Sequence, residues 1–381
     1  MKKLLIILFC LLLGAYSVQA GLYKATITFS GYTKNETLTN FPALIVLSNN
    51  IPSGFSYTQL TSTNGWDLRF TDSTNSTLNY EIETWNTGGA SFVWVQVPLL
   101  TSNAQITMSW GGTNTAQPAY TTNGATWTNG YAGVWHLPNG TSLTGNDSTS
   151  NNINGTLVNS PVAIAGKIDG AASFNGTSQY IELGDTLAMN GQSITIDMWL
   201  YPMAWPATSY FYNLFSRRQV SNPWIADYLL YMDAGGQIGL AKYNGSWEDT
   251  TPTAGLAPTG QWSQVAVTFD TSTKLASLFV NGVLVKNKTF TAAIGANGSA
   301  TTRIGGVFYT TDTKYINGYI DDTRISNVSR SSNWVWACYQ NMASNNVFQS
   351  YGSATIVVYS LYRPNTTFRK NLAIKNQHGG Q

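Results

Sequence analysis

The stretch SLFVNGVLVKN, residues 277–287, places Asn281-Gly282 between two short apolar runs. Both turn positions tolerate positive φ, so a two-residue loop there closes a tight β-hairpin. Outward from it, similar strand-like runs recur at about ten-residue spacing, separated by clusters of Gly, Asn, Pro and Ser. They fall at residues 23–29, 43–47, 92–97 and 106–110, then at 180–183, 194–200, 264–269 and 275–280. Ile194, Ile196 and Met198 alternate with Thr195, Asp197 and Trp199, the two-residue period of a strand with one face in a core. Long amphipathic helical periods are nearly absent. The chain is therefore expected to be all-β, and its length suggests two β-sandwich domains. One short helix is expected near the end, capped by Ser331 or Ser332, with Trp334, Val335, Cys338 and Met342 on one face. Cys338 then reads as core packing rather than as a nucleophile.

The chain begins MKKLLIILFCLLLGAYSVQA, with Lys2 and Lys3, an apolar run from Leu4 to Leu13, and the small residue Ala20. That is the layout of a secretory signal peptide, residues 1–20, cleaved after Ala20. Its apolar run of about ten residues is well short of the roughly 20 that span a bilayer. A secreted or cell-surface protein with no transmembrane segment in the mature chain is expected. Loss of Cys10 would leave Cys338 without a disulfide partner. The 20 basic and 18 acidic residues become 18 of each once Lys2 and Lys3 are removed. Such a balance does not suit nucleic acid, which requires a basic stripe. Charged residues make up only 10% of the chain, against roughly 25% in ordinary globular proteins. Asn, Thr, Ser and Gly take their place among many Trp and Tyr, a surface suited to carbohydrate. About eleven Asn-X-Ser/Thr sequons, among them those at Asn35, Asn75 and Asn139, would make it a glycoprotein in a host with that machinery.

From VWHLPNG onward the sequence resembles the laminin-G-like, concanavalin-A-like jelly-roll domains of secreted proteins, over residues 133–352. The motifs AGKIDGAASFNGTSQYIEL, ITIDMWLYP, GQWSQVAVTFD, LFVNGVLV, RIGG and INGYIDDTRISNVSRSSNWV stand in that family's order. Residues 21–118 resemble domain-of-unknown-function family 2341 through FPALIVLS, DLRFTD, LNYEIETW, FVWVQVPLL and ITMSWGG. The turn-rich stretch 119–132 reads as a linker, and 353–381 as a C-terminal extension with a basic tip. The resemblance implies a jelly roll for the second domain and, in many relatives, one structural calcium ion with the acid matching Asp321 as a frequent ligand. Oxygen donors of the kind calcium takes also cluster at Asp147 and at Asn175. Leu137-Pro138-Asn139 stands where relatives often carry acids, a departure from that pattern.

Glu81 and Glu83 lie two apart in a strand-like segment and would share a face at roughly 6.5–7 Å, a separation compatible with the paired carboxylates of glycosidases. No third acid or histidine accompanies them in the sequence, and Asp321 and Asp322, being adjacent, should face opposite ways. Of the two histidines, His136 and His378, neither has zinc-ligand spacing, and His136 reads as a packed structural residue. Sugar binding needs exposed aromatic faces flanked by polar groups. Trp205, Tyr210, Tyr212, Trp224 and Trp247 lie in turn-rich parts of the jelly roll, with Arg217, Arg218, Asn222 and Asp227 among them. Trp199 and Trp262 are expected in the core. The expected function is non-catalytic adhesion or recognition of a glycan or other cell-surface polymer. One alternative is a surface assembly subunit that self-associates through residues 353–381, whose apolar run Thr355 to Tyr362 would add to a neighbour's sheet. The other is a polysaccharide hydrolase using Glu81 and Glu83.

Overall fold

The computed structural model describes residues 22–138, 142–207, 211–222, 224–243, 245–250, 257–295, 298–307 and 314–357. Six strands begin the first sandwich: β1 (Leu22–Thr28), β2 (Leu38–Leu47), β3 (Arg69–Thr71), β4 (Tyr80–Thr84), β5 (Ser91–Leu100) and β6 (Gln105–Trp110). The jelly roll begins with β7 (Tyr131–Trp135), β8 (Thr156–Val158), β9 (Val162–Ala165), β10 (Gly170–Asn175) and β11 (Tyr180–Gly184). It continues through β12 (Ile194–Pro202), β13 (Phe211–Gln219), β14 (Ala226–Asp233), β15 (Ile238–Tyr243) and β16 (Trp247–Asp249). Then come β17 (Ser263–Asp270), β18 (Leu275–Val280), β19 (Val283–Thr289), β20 (Ala300–Ile304) and β21 (Asn317–Ser326). Helices α1 (Ser332–Ala343) and α2 (Asn345–Phe348) and strands β22 (Ser350–Tyr351) and β23 (Thr355–Val357) close the described chain. No helix among the described residues is long and apolar enough to cross a membrane.

The jelly roll faces an antiparallel sheet of order β19-β18-β17-β12-β21-β10-β9, with β7 also on β21, against one of order β16-β15-β14-β13-β20-β11-β8. Its interior follows the alternation of the sequence. Ile194, Ile196, Met198 and Leu200 of β12 are buried there with Val265 and Val267 of β17 and Leu230 and Leu240 of the opposing sheet. Thr195, Asp197 and Trp199 point the other way, and Trp199 joins the core of the first domain instead. The hairpin at 281–282 forms with Asn281 at φ 50° and Gly282 at φ 73°, the left-handed pair that matches strand twist. Gly282 also lies under α1, where an added Cβ would come within 2.9 Å of Tyr339 Cβ and 3.2 Å of Trp336 Cα. Gly282→Ala is expected to cost about 2–4 kcal/mol, strain in the left-handed region adding to overpacking. Gly184→Ala, at φ 71° with nothing within 4 Å, should cost about 1–2 kcal/mol. Urea titration of the two variants checks the difference, and equal losses would remove the α1 contact from the account.

The first sandwich packs the sheet β22-β1-β6-β3 on the three-stranded sheet β2-β5-β4. The free edge of β2 would leave backbone groups unpaired, and the helices after the jelly roll return to cover it. Asn341 Oδ1 accepts from Leu44 N–H at 3.0 Å, while the side-chain amides of Asn345 and Gln349 donate to Leu44 C=O at 2.7 and 2.8 Å. At the start of α1, Ser331 accepts from Trp334 N–H at 3.1 Å and donates to Glu36 of the first domain at 2.7 Å. The buried face of α1 carries Trp334, Val335, Cys338 and Met342, as the sequence pattern indicates.

Two boundaries differ from those expected. The stretch 119–132 is not a free linker: Thr121, Thr126 and Trp127 are buried, and Trp127 belongs to the apolar cluster that runs unbroken from the first sandwich to Trp199 and α1. The segment from 353 does not begin as an appendage, because Thr355–Val357 pairs with β1 of its own chain, Leu22 opposite Val357. That edge is therefore used internally; residues 358–381 lie outside the described residues, as do 1–21 with the leader-like stretch.

Candidate functional site

Glu81 and Glu83 stand where the two sandwiches meet. On β4, Glu81 pairs with Trp94 and Ile82 with Val93, but the next pair is Thr84 with Phe92. Glu83 is thus the extra residue of a β-bulge, a device that re-aims a side chain. From the jelly roll, β7 pairs Trp135 with Thr323 of β21, which sets His136 beside Asp322. Asp322 lies in a second bulge and takes a left-handed φ of 48°, a conformation that Asp tolerates better than most residues. Asp321 and Asp322 consequently do not separate onto opposite faces. Both are buried at the seam, where Glu83 feels the charge of Asp322 and Asp321 feels that of Glu83.

The pair is therefore accompanied by a histidine and further acids, contrary to the sequence reading. His136 Nδ1 lies 3.0 Å from Asp322 and 3.5 Å from Glu83, and Nε2 lies 3.6 Å from Glu81. Trp94 donates its indole N–H to Glu83 at 2.6 Å, Trp127 donates to Glu81, and Ser148 donates to Glu81 at 2.7 Å. The guanidinium of Arg324 pairs with Asp322 and lies 4.4 Å from the Trp94 ring centre and 5.0 Å from that of Trp127. Thr84 of the first domain also donates to Asp169 of the second.

Burial governs the protonation of this cluster. It raises the Glu83 carboxyl to about 7, with His136 opposing, and raises Asp197, the cross-strand neighbour of Arg324, to about 7. Burial also lifts Asp321 well above the carboxylate range, helped by Asp322 and Glu83. For His136 burial acts downward, but Glu83, Asp322 and Glu81 outweigh it and raise the imidazole well above 6.5. Asp322 stays low because Arg324 and His136 overcome its burial. Five buried atoms of the groups just named, Glu83 Oε1, His136 Nε2, Asp197 Oδ1, Asp321 Oδ1 and Arg324 Nη1, have no hydrogen-bond partner among the described residues.

A cavity of about 430 Å³ opens beside the cluster, walled by Trp66, Trp85, Tyr120 and Trp127. The Glu81 side chain is 19% exposed toward it, whereas that of Glu83 is 1% exposed. A glycosidase needs both carboxylates flanking the scissile bond, and only one of these is accessible.

Each calcium candidate accepts from its own set of backbone N–H groups. Asp147 accepts from the backbone N–H groups of Val134, Thr149 and Ile153 and from the Thr149 hydroxyl. Asn175 caps the turn at Thr177 and Ser178, and Asp321 accepts from Lys167 and Ile168 N–H at 2.8 and 2.9 Å. Among the described residues no group of three His, Cys, Asp or Glu side chains has metal-holding geometry.

The aromatic candidates divide. Trp224 and Trp247, 64% and 42% exposed, line one pocket of about 270 Å³ on the outer face of β13–β16, together with Phe211, Arg218, Tyr231 and Lys314. Arg218 lies 5.6 Å from the Trp247 ring centre and Lys314 lies 4.3 Å from that of Phe211. Tyr231 donates to both oxygens of Asp249, at 2.6 and 2.7 Å. Tyr212 is not in this pocket: it packs against the jelly-roll interior, and its neighbour Phe211 faces outward. Trp205 covers the turn at Gly236 and donates to Ala257 C=O at 3.0 Å. Arg217 is buried in ion pairs with Asp227 and Asp185. Tyr210 lies outside the described residues.

Residues 64–130 match the family model of a domain of unknown function (DUF2341). Residues 175–335 match the model of the concanavalin A-like lectin/glucanases superfamily, Laminin_G_3. The chain thus carries a DUF2341 segment followed by a concanavalin A-like jelly roll. No curated protein matches it. Among solved structures, domain 4 of an extracellular GH43 arabinanase from Geobacillus stearothermophilus is 21% identical, over 55% of this chain and 98% of that one, with a TM-score of 0.44. The binding domain of Paraclostridial Mosquitocidal Protein 1 is 14% identical, over 57% and 53%, with a TM-score of 0.45. A CBM40 module of a Ruminococcus gnavus IT-sialidase is 19% identical, over 40% and 84%, with a TM-score of 0.33. At this level of likeness nothing passes from them to this chain.

Proposed function

We propose that the protein is a secreted or cell-surface recognition protein that binds carbohydrate through the aromatic pocket on the outer face of the jelly roll. The observation that carries this reading is the convergence of Trp224 and Trp247, both exposed, with Arg218, Lys314 and Asp249 at their edges. Indole faces accept the C–H faces of a pyranose, and the polar side chains around them fix its hydroxyls, the usual division of labour in a small-ligand pocket. The leader-like first 20 residues and the low charge of the chain support a place outside the cell. Binding without cleavage is the activity proposed, since Asp249, already held by Tyr231, is the one carboxylate among the described residues that line the pocket.

Retention of the protein on insoluble polysaccharides, with reducing ends assayed in parallel, tests the reading. Trp224→Ala and Trp247→Ala should each weaken retention at least about tenfold, or ~1.4 kcal/mol. Trp205→Ala, which removes an aromatic outside this pocket, should leave retention unchanged. Undiminished retention in the Trp224→Ala/Trp247→Ala double variant would sink the assignment.

A further inference from the structure

The seam cavity lies apart from the jelly-roll pocket and has a different chemistry. We infer that it is a second binding site, and that it takes an amino sugar through the sugar's free ammonium group. Its volume, about 430 Å³, lies in the range of small-ligand sites. Trp66, Trp85, Tyr120 and Trp127 supply aromatic faces, and Asn64 and Gln117 supply amides for hydroxyl groups. Among the described residues three acids, Glu81, Glu83 and Asp147, line the cavity, and no Lys, Arg or His does so. Asp147 is saturated by its own turn, so Glu81 is the acid that faces a ligand.

Each oxygen of Glu81 accepts one hydrogen bond, from Ser148 or Trp127, and a carboxylate has about four acceptor positions. Capacity therefore remains on the cavity side. Glu83 in the same wall keeps a buried oxygen without a partner, and His136 Nε2, also unpartnered, lies 3.6 Å behind Glu81. On its cavity side Glu81 meets no cationic donor among the described residues. An ammonium group brings three, and indole rings around it add cation–π attraction. Among the described residues a neutral sugar would leave Glu81 with only His136 as charge partner, an imidazole it shares with Glu83 and Asp322, and an acidic sugar would be repelled. The amide and aromatic lining favours a polyhydroxylated amine over a bare alkyl amine.

The test is calorimetric titration of the full chain with four probes: a glucosamine tetrasaccharide, its fully N-acetylated form, the matching glucose tetrasaccharide, and tetralysine. The glucosamine probe should bind at least tenfold more tightly than each of the others. Glu81→Gln, which keeps the shape and removes the charge, should erase that preference. Trp85→Ala should weaken binding at least tenfold should Glu81→Gln fail to fold. The preference for glucosamine should persist in the Trp224→Ala/Trp247→Ala double variant, in which the jelly-roll pocket is lost, and this separates the seam site from that pocket. Equal binding of the glucose or N-acetylated probe, equal binding of tetralysine, no binding of glucosamine, or an unaltered Glu81→Gln titration would each overturn the inference.

Discussion

Arg324→Met is expected to destabilise the protein by about 3–5 kcal/mol, the usual cost of leaving one partner of a buried ion pair uncompensated. Arg324 is 1% exposed and pairs with Asp322, which is equally buried. It is also the cross-strand neighbour of Asp197 and packs on Trp94 and Trp127. Methionine preserves part of the packing and removes the charge, leaving His136 as the only cation within salt-bridge distance of Asp322 among the described residues. The consequence should not stay within the jelly roll. Trp94 belongs to the first sandwich and Asp322 to the second, and one apolar cluster spans both. Unfolding by urea should therefore remain a single transition, displaced as a whole, when followed by both tryptophan fluorescence and circular dichroism. Asp322→Asn in the Arg324→Met background should recover part of the loss, because it removes the stranded charge. A loss below about 1 kcal/mol, the range of exposed pairs, would mean that the seam does not rest on this pair.

What the sequence revealed was local, and what it concealed was the seam. The hairpin at Asn281-Gly282, the alternation along 194–200 and the Ser331 cap each depend on residues within a few positions of one another, so their patterns are complete in a short window. The acid cluster is assembled from far apart. His136 meets Asp322 across 186 positions and Trp127 meets Glu81 across 46. Strand parity also misleads where a bulge intervenes. The bulge at Glu83 seals one carboxylate and leaves Glu81 exposed, and the one at Asp322 brings adjacent acids to the same seam. In β13, parity that runs uncorrected from the sequence cannot distinguish Phe211, which lines the outer pocket, from Tyr212, which faces the interior. The available clue to the seam was Trp127, a large apolar ring that stands with Tyr120 and Tyr131 in a stretch otherwise made of Ala and turn residues. Such a residue in a supposed linker marks burial.

Stability is expected to fall as pH rises from about 5 to about 8, by about 4–6 kcal/mol in total. Burial raises Glu83 and Asp197 to about 7 in the folded protein, against about 4 in an unfolded chain. Between those values the folded state binds more protons than the unfolded one, so stability decreases with pH at up to about 1.4 kcal/mol per unit for each group. Asp321, also raised, acts in the same direction. His136, raised above 6.5 by its acidic neighbours, contributes stability that is complete below the unfolded value and is lost as pH climbs through the folded one. The contributions do not simply add, because a proton leaving Glu83 strengthens the hold of His136 on its own. Asp322 has the opposite sign, but its depressed value confines its effect to acid below about 4. The hydrogen-bonded surface acids Asp72, Asp185 and Asp270, also depressed, fall in that same acid range. Urea midpoints at half-unit steps from pH 5 to 8 measure the slope. Glu83→Gln places an uncharged amide of the same shape in the bulge and removes one titrating group, so its slope below pH 7 should be shallower by about 1 kcal/mol per unit. A stability that rose across this range, or a Glu83→Gln slope identical to that of the parent, would mean that the buried acids of the seam do not carry the proton linkage.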